Sequence, residues 1–251
     1  MNSASMLGIL LGLVAVFGGS VLEGGSIDSI VQGSAALIVF GGTLGATFLS
    51  FSIHDIKLAL HMAKEVFIEK RLLPENNVIV RDIVNMAGKA RRDGILSLDN
   101  DMKNINYLFF RRGLRLVIDG LEPKVIQDTL EQDIRTFEEE RGRAAKVFEA
   151  AGGYAPTIGI IGAVLGLIHV MENLSDPTRL GAGIAIAFVA TVYGVASANL
   201  LFLPIAKKMM NNVKNEIFLR EMIIDGILGI QSGRSPFVLR EHLSSFQYGK
   251  R

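Results

Sequence analysis

Four long stretches of this 251-residue chain contain no charged residue and consist mainly of apolar side chains. They cover residues 6–22, 31–53, 150–170 and 181–206. A membrane-spanning helix needs about 20 mostly apolar residues, because the hydrocarbon core of a bilayer is about 30 Å thick. The first stretch is short, but the pattern predicts four transmembrane helices, two before and two after a long charged segment.

The third and fourth stretches both carry small residues at helical spacing. In the third, Gly159, Gly162 and Gly166 share one face of the predicted helix. The fourth has its own row of small residues, which comprises Ala187, Ala190, Gly194 and Ala198. Since small residues let two membrane helices approach to backbone contact, we expect these two helices to pack together.

The segment between the second and third stretches has a different character. Residues 54–149 contain 17 basic and 17 acidic residues, interspersed with apolar residues at helical spacing. This pattern predicts an aqueous helical domain. Residues 207–251 form a second charged segment with an amphipathic stretch, FLREMIIDGILGI, and we expect the two aqueous regions to pack together.

The predicted fold class is therefore all-α, a polytopic membrane protein with four transmembrane helices and a large cytoplasmic helical domain. Its segments are residues 1–53 (helices 1 and 2), 54–149 (the aqueous domain), 150–206 (helices 3 and 4) and 207–251 (the aqueous tail). No proline and one glycine precede Gly152 in the sequence IQDTLEQDIRTFEEERGRAAKVFEAAGG, so a single helix is predicted to continue from the aqueous domain into the third span.

Charge at the ends of the spans predicts the orientation. The loops at 23–30 and 172–180 hold one basic residue, Arg179, and four acidic ones, Glu23, Asp28, Glu172 and Asp176. Basic residues flank the spans on the other side, namely Lys57, Lys64, Arg141, Arg143, Lys146, Lys207 and Lys208. The positive-inside rule then places both termini and the long loop in the cytoplasm.

Composition narrows the function classes. A net charge of +1 argues against nucleic-acid binding, and the lack of cysteine excludes disulfides and thiolate metal sites. The chain has no phosphate-binding loop, no G-x-S-x-G and no H-E-x-x-H motif, and its four histidines are scattered. We therefore predict no catalytic residue, no metal site and no cofactor, which argues against an enzyme.

None of the four spans contains Asp, Glu, Lys or Arg. Ion pathways normally need an ionisable group within the bilayer, so a partner has to supply it if this chain conducts ions. The spans do offer hydroxyl groups, from Thr157 and Thr191. Such a threonine either lines an ion path or bonds to the carbonyl four residues earlier in its own helix.

Two other features have alternative interpretations. Pro156 and Pro204 near the ends of their spans produce either a static kink or a hinge. In ARRDGILSLDND, basic residues including Arg91 precede a glycine turn and acidic residues including Asp99 follow it. This display suits either a charged contact with a partner or an ordinary solvated face.

The chain resembles the MotA/PomA family of flagellar motor stator subunits, which is related to ExbB and TolQ. GGYAPTIGIIGAVLGLIHVMENL and GAGIAIAFVATVYGVASANLLFLPIA resemble that family's third and fourth spans, and ARRDGILSLD, VIDGLEP and LREMIIDGI extend the resemblance along the chain. The resemblance implies a homopentamer in the bacterial inner membrane. This ring surrounds two copies of MotB, which supplies the ion-binding aspartate, and it drives the rotor protein FliG.

The same resemblance implies roles for particular residues. Pro156 and Pro204 match the family's two functional prolines, and Thr191 matches the threonine that faces the MotB aspartate. Arg91 and Asp99 match the charged pair that contacts FliG, although the family usually has Glu at the second position.

Ala163 stands where sodium-driven members of the family have Thr, which favours protons as the driving ion. The alternative function is an ExbB- or TolQ-like energiser of outer-membrane transport. Those relatives typically have three spans, so the hairpin formed by the first two predicted spans favours the stator.

Overall fold

A computed structural model describes residues 3–25, 27–67, 76–103, 105–172 and 177–248. Within these ranges the structure is helical and contains no strand. The helices are α1 Ser3–Leu22, α2 Ile27–Ile30, α3 Gly33–Ala36, α4 Gly42–Ser50, α5 Ile53–Phe67, α6 Asn76–Asp93, α7 Asp99–Met102, α8 Leu108–Ile118, α9 Pro123–Glu172, α10 Pro177–Ser197, α11 Leu203–Gln231 and α12 Pro236–Tyr248.

Within the described ranges, four helices are long and apolar enough to cross a membrane, which confirms the predicted number. Two of these spans are not uniform α-helices. A π-helical turn, Leu37–Gly41, joins α3 to α4, and a second one, Ala198–Phe202, joins α10 to α11. In the orientation argument, Asp176 and the side chains of Asp28 and Arg179 lie outside the described residues.

Helix α9 continues from Pro123 to Glu172 without a break, as the absence of helix-breaking residues before its apolar part predicted. The chain divides into two compact units, each formed by two separate stretches of sequence. The first unit comprises Met1–Lys70 and Glu140–Asn211, and the second comprises Arg71–Glu139 and Asn212–Arg251.

The second unit has a core of large aliphatic and aromatic side chains from α6, α8, α9, α11 and α12. Its fully buried members include Ile83, Phe110, Leu114 and Ile227. Because these helices alternate apolar and charged faces, burying the apolar faces together removes them from water. The predicted packing of the two aqueous regions is thus confirmed within this unit.

A polar network lies beside this core. The Tyr107 hydroxyl donates a 2.6 Å hydrogen bond to Glu216, whose same oxygen accepts two bonds from Arg220. The Arg220 guanidinium also lies 3.8 Å from the ring centroid of Phe137 and 5.1 Å from that of Phe109. Burial and the neighbouring Glu216 carboxylate raise the pKa of Tyr107 well above its usual range.

The first unit has a smaller buried cluster, formed by Ala35, Val39, Val189 and Ala190. Helix α1 contributes no buried residue to its span, and most of its large apolar side chains are exposed. Exposed apolar side chains are expected on a helix whose solvent is lipid.

At the start of α5, the Asp55 carboxylate has two polar partners. Ser52 donates a 2.6 Å hydrogen bond to this carboxylate, and Arg143 lies 3.6 Å away. These two partners hold the pKa of Asp55 below its usual value, with the Ser52 bond as the largest cause.

Candidate functional site

The apolar part of α9 packs against α10 at backbone distance. A Cβ atom at Gly159 would lie 2.8 Å from the carbonyl oxygen of Ala190, and one at Gly166 would lie 2.8 Å from that of Gly183. From the other side, a Cβ atom at Gly194 would lie 2.5 Å from the carbonyl oxygen of Ala155. The predicted pairing of the two rows of small residues is confirmed.

This contact also aligns the candidate ion-path residues. A Cβ atom at Gly162 would lie 2.7 Å from the Cβ atom of Ala190, which brings the next residues, Ala163 and Thr191, within about one helical turn (~5.4 Å) of each other along the pair. Both side chains are half-buried, whereas Thr157 is exposed. The helix pair therefore presents two hydroxyl groups and one methyl group over a short length.

Both threonine hydroxyls bond to their own helices. Thr191 donates to the carbonyl oxygen of Ala187 at 3.1 Å, and Thr157 donates to that of Tyr154 at 2.8 Å. This is the back-bonded geometry that a threonine in a membrane helix often adopts. Because a hydroxyl has two acceptor lone pairs, each oxygen can still accept a hydrogen bond or bind a cation.

The two prolines lie in turns that contact the opposite helix. In α9, the Cα atom of Pro156 lies 3.1 Å from the position of a Cβ atom at Gly194. Gly152, whose carbonyl has no N–H partner at Pro156, would place a Cβ atom 2.6 Å from the side chain of Leu203. The region around Pro156 is therefore packed closely against the opposite span.

Pro204 lies two residues after the end of the π-helical turn Ala198–Phe202. The N–H of Leu203 bonds to the carbonyl of Ala198, five residues earlier, so the helix is wide immediately before the proline. Such π turns are frequent at functional sites. Sequence reasoning did not predict this turn, nor the one in the second span.

Tyr193 is a further residue that the sequence reasoning missed. Its hydroxyl donates a 2.7 Å hydrogen bond to the carbonyl of Ile30 and accepts one from the N–H of Gln32 at 3.3 Å. The Tyr193 ring also lies 5.8 Å from that of Phe40. This side chain holds the loop before the second span against α10. Its partners are more than 150 residues away in the chain, which explains why no local pattern indicated them.

In the second unit, the charged residues Arg91 and Asp99 lie on either side of a glycine turn. Gly94 has φ +83°, a conformation that favours glycine, and it separates the end of α6 from α7. Arg91 and Asp99 are both exposed, on opposite sides of this turn. Neighbouring Lys89 and Asp101 form an ion pair at 2.7 Å, which ties the two sides together.

Asp99 lines a groove of about 670 Å³ whose other charged residues are basic. Those residues are Lys103, Arg111, Arg112 and Arg115. Arg112 pairs with Asp133 at 3.0 Å, while Arg111 and Arg115 are exposed one helical turn apart on α8. The spacing of these two arginines indicates a basic helix face, but the linear sequence does not show that Asp99 lies beside it.

Among the described residues, no group of three or more His, Asp or Glu side chains could hold a metal ion. His54 and His61 each lie 3.3 Å from one carboxylate, Glu140 and Glu65 respectively. A single carboxylate partner is an ion-pair geometry rather than a metal site.

Comparisons with known proteins agree with this architecture. Residues 101–222 match the model of the MotA/TolQ/ExbB proton channel family, and residues 6–93 match that of the motility protein A N-terminal region.

Two curated relatives and one solved structure match almost the whole chain. Motility protein A of Bacillus subtilis is 33% identical over 97% of this chain and 90% of its own length. Chemotaxis protein PomA of Vibrio alginolyticus is 34% identical over 100% of this chain and 98% of its own. The structure of the flagellar MotAB stator complex from Bacillus subtilis superimposes with a TM-score of 0.89 at 32% identity, covering 97% of this chain and 96% of that one.

Proposed function

This chain belongs to the motility protein A branch of the MotA/TolQ/ExbB proton channel family, and we propose that it is a stator subunit that converts ion flow into torque on a flagellar rotor. The observation that carries the proposal is the match to motility protein A relatives and to a MotAB stator complex over nearly the whole chain. The match at residues 6–93 favours a stator over an ExbB- or TolQ-like energiser.

In this function the chain forms part of an ion path but does not carry its ionisable group. The four spans contain no Asp, Glu, Lys or Arg, so the partner MotB supplies the carboxylate. Thr191 lies half-buried on the α10 side of the close α9–α10 contact, where its oxygen is available as an acceptor. We propose that this oxygen faces the MotB carboxylate, with Ala163 and Thr157 beside it.

We propose protons as the driving ion. A sodium ion needs several oxygen ligands, whereas a proton needs only a hydrogen-bonded route. Ala163 offers a methyl group within about one helical turn (~5.4 Å) of Thr191, so this level of the helix pair is poor in oxygen.

Pro156 and Pro204 couple the ion path to the aqueous part of the chain in this proposal. Pro156 lies in a closely packed turn of its span, and Pro204 lies just after a widened one. At both positions the loss of one backbone hydrogen bond lowers the cost of bending.

The rotor contact involves Arg91 and Asp99. Both are exposed, and neither has an ion-pair partner among the described residues, so their charges are available to the rotor protein FliG. Complementary charge at such a surface supplies orientation and association rate more than affinity. The chain functions in the inner membrane with both termini in the cytoplasm, as a pentameric ring around MotB.

A motility assay tests the proposal. The chain and its MotB partner are expressed in a host that lacks stators, and swimming and torque are measured. Thr191→Ala is expected to reduce torque strongly, because it removes the hydroxyl that faces the carboxylate. Ala163→Ser is the matched control at the same depth and is expected to retain most of the torque.

Two results would contradict the proposal in different ways. Full motility of Thr191→Ala would mean that Thr191 only bonds to its own helix. Torque that follows the sodium gradient at constant proton-motive force would overturn the ion assignment but leave the stator function intact.

A further inference from the structure

We propose that a groove in the first unit, between α1, the end of α5 and the start of α11, binds an anionic phospholipid. One acyl chain occupies the groove, and the phosphate binds Lys208. This inference does not depend on the stator function, because it needs only a chain embedded in a bilayer.

The groove has a volume of about 410 Å³ and mainly apolar walls. Helix α1 contributes Gly8 and Ile9, α5 contributes Val66 and Phe67, and the opposite wall includes Leu200 and Ile205. Its lining matches an acyl chain in chemistry, since most of the groove surface is methyl, methylene and aromatic carbon.

Lys208 also lines this groove, together with Ser5. Its ammonium group donates a hydrogen bond to the Ser5 hydroxyl, which fixes the direction of the side chain. An ammonium has three N–H donors, so two remain for an anion. Among the described residues that line the groove, Lys208 is the one charged side chain, and no carboxylate there neutralises it.

The groove opens onto the face of α1 that carries exposed apolar residues. A second, adjoining groove shares Ile9 and Phe67 with it and is lined by Met6, Leu7, Leu10 and Leu13. Leu7 and Leu10 are each 58% exposed. This continuous surface is what an acyl chain in the surrounding bilayer meets, and long basic side chains at a span end place their charge at the level of the headgroups.

The position of the groove connects lipid binding to the proposed mechanism, because Pro204 also lines it. A lipid held there fills the space next to the turn that follows the π-helical segment. Bound lipid is then expected to stabilise the packing of α1 against that turn, since a ligand that binds only the folded state raises its stability.

Two pairs of variants test the site. Lys208→Gln removes the charge of the half-buried lysine, and Lys207→Gln is its control at the exposed neighbouring position. Gly8→Leu fills the groove, since a Cβ atom at Gly8 would meet no atom within 4 Å. Gly19→Leu is its control, because Gly19 has equally open surroundings on the same helix but does not line the groove.

The full-length chain is purified in the oligomer in which it leaves the membrane, and native mass spectrometry measures retained phosphatidylglycerol and phosphatidylcholine. We expect a preference for phosphatidylglycerol that Lys208→Gln reduces about tenfold, as for loss of one charge-assisted hydrogen bond. Lys207→Gln retains the preference. Gly8→Leu reduces retention of both lipids, and Gly19→Leu does not.

Equal lipid preference in Lys208→Gln and Lys207→Gln would overturn the headgroup assignment. Dissociation of the oligomer by Gly8→Leu, with no change in the lipid retained per chain, would overturn the proposal as a whole. In that case the groove would be filled by a second copy of the chain.

Discussion

The core of the second unit and the α9–α10 contact both depend on glycine, but in opposite ways. In the core, the side chain of Ile227 enters the space left by Gly113, with its terminal methyl 2.1 Å from the position of a Cβ atom. In the helix pair, the space left by Gly194 is filled by backbone, the carbonyl of Ala155. The first arrangement buries large apolar side chains, and the second brings two backbones together.

The difference follows from the solvent of each region. In water, burying a large apolar side chain is favourable. Close packing of large residues such as Phe110 and Ile227 therefore stabilises the core. In lipid the same side chain gains little from burial, because hydrocarbon surrounds it in either position. Close contact between backbones, through van der Waals packing, then provides the attraction between helices. The first three predictions below distinguish these two modes of packing.

The largest effect is expected from truncating the aqueous core. Phe110→Ala should destabilise the second unit by about 3–5 kcal/mol, because Phe110 is fully buried and its removal leaves a cavity. Hydrogen exchange of the α8 and α11 amides measures this loss. Phe237→Ala is the control, since Phe237 is 73% exposed, and comparable exchange in the two variants would mean that Phe110 is not part of a tightly packed core.

The next largest effect is expected in the helix pair. Gly194→Ala should destabilise the α9–α10 contact by about 3 kcal/mol, because the added methyl meets backbone atoms that cannot move without separating the helices. The readout is hydrogen exchange in α10 and the yield of assembled oligomer. Gly181→Ala, on the same helix with no atom within 4 Å of its Cβ position, should leave both unchanged. Normal assembly of Gly194→Ala would contradict the backbone-contact mode.

A smaller loss is expected when the obstacle is a side chain. Gly113→Ala should cost only about 1 kcal/mol, because the Ile227 side chain can change its rotamer, and alanine favours the helix by about 1 kcal/mol relative to glycine. Hydrogen exchange in α8 measures this loss. It is compared with the hydrogen exchange of Gly194→Ala in α10. If Gly113→Ala proved the more damaging of the two, the distinction between side-chain and backbone obstacles would fail.

The same contrast explains what could be predicted from the sequence. The spans, the small-residue rows and the continuity of α9 depend on local composition and spacing, and all three are found. The pairing of Gly113 with Ile227 depends on which faces of α8 and α11 pack together. The spacing of residues within one helix does not reveal this.

The candidate site shows the same limit. Thr191 could be singled out from the sequence as a hydroxyl within an uncharged span. Two other features depend on tertiary structure: the bond from Tyr193 to Ile30, and the basic groove beside Asp99. Neither leaves a pattern in the local sequence.

A loss of similar size is expected from a polar group beside the aqueous core. Tyr107→Phe should cost about 1 kcal/mol at pH 8, because it removes the hydroxyl that donates to Glu216 while Arg220 still pairs with that carboxylate. The midpoint of thermal unfolding of the full-length oligomer measures this difference.

The pH dependence identifies the cause of that small loss. The pKa of Tyr107 is raised in the folded chain, so an unfolded chain loses this proton at about pH 10 while the folded chain retains it. The hydroxyl's contribution is then fully present below about pH 10 and is lost as pH rises toward the folded pKa. The difference in stability between the native chain and Tyr107→Phe should therefore narrow above pH 10.

Glu216→Gln is the control variant, since it keeps an acceptor oxygen but removes the charge. This lowers the folded pKa of Tyr107 and confines the loss of stability at alkaline pH to a narrower range. Parallel curves for the native chain and Tyr107→Phe from pH 8 to about pH 11 would show that the Tyr107 proton is not held by Glu216 and burial.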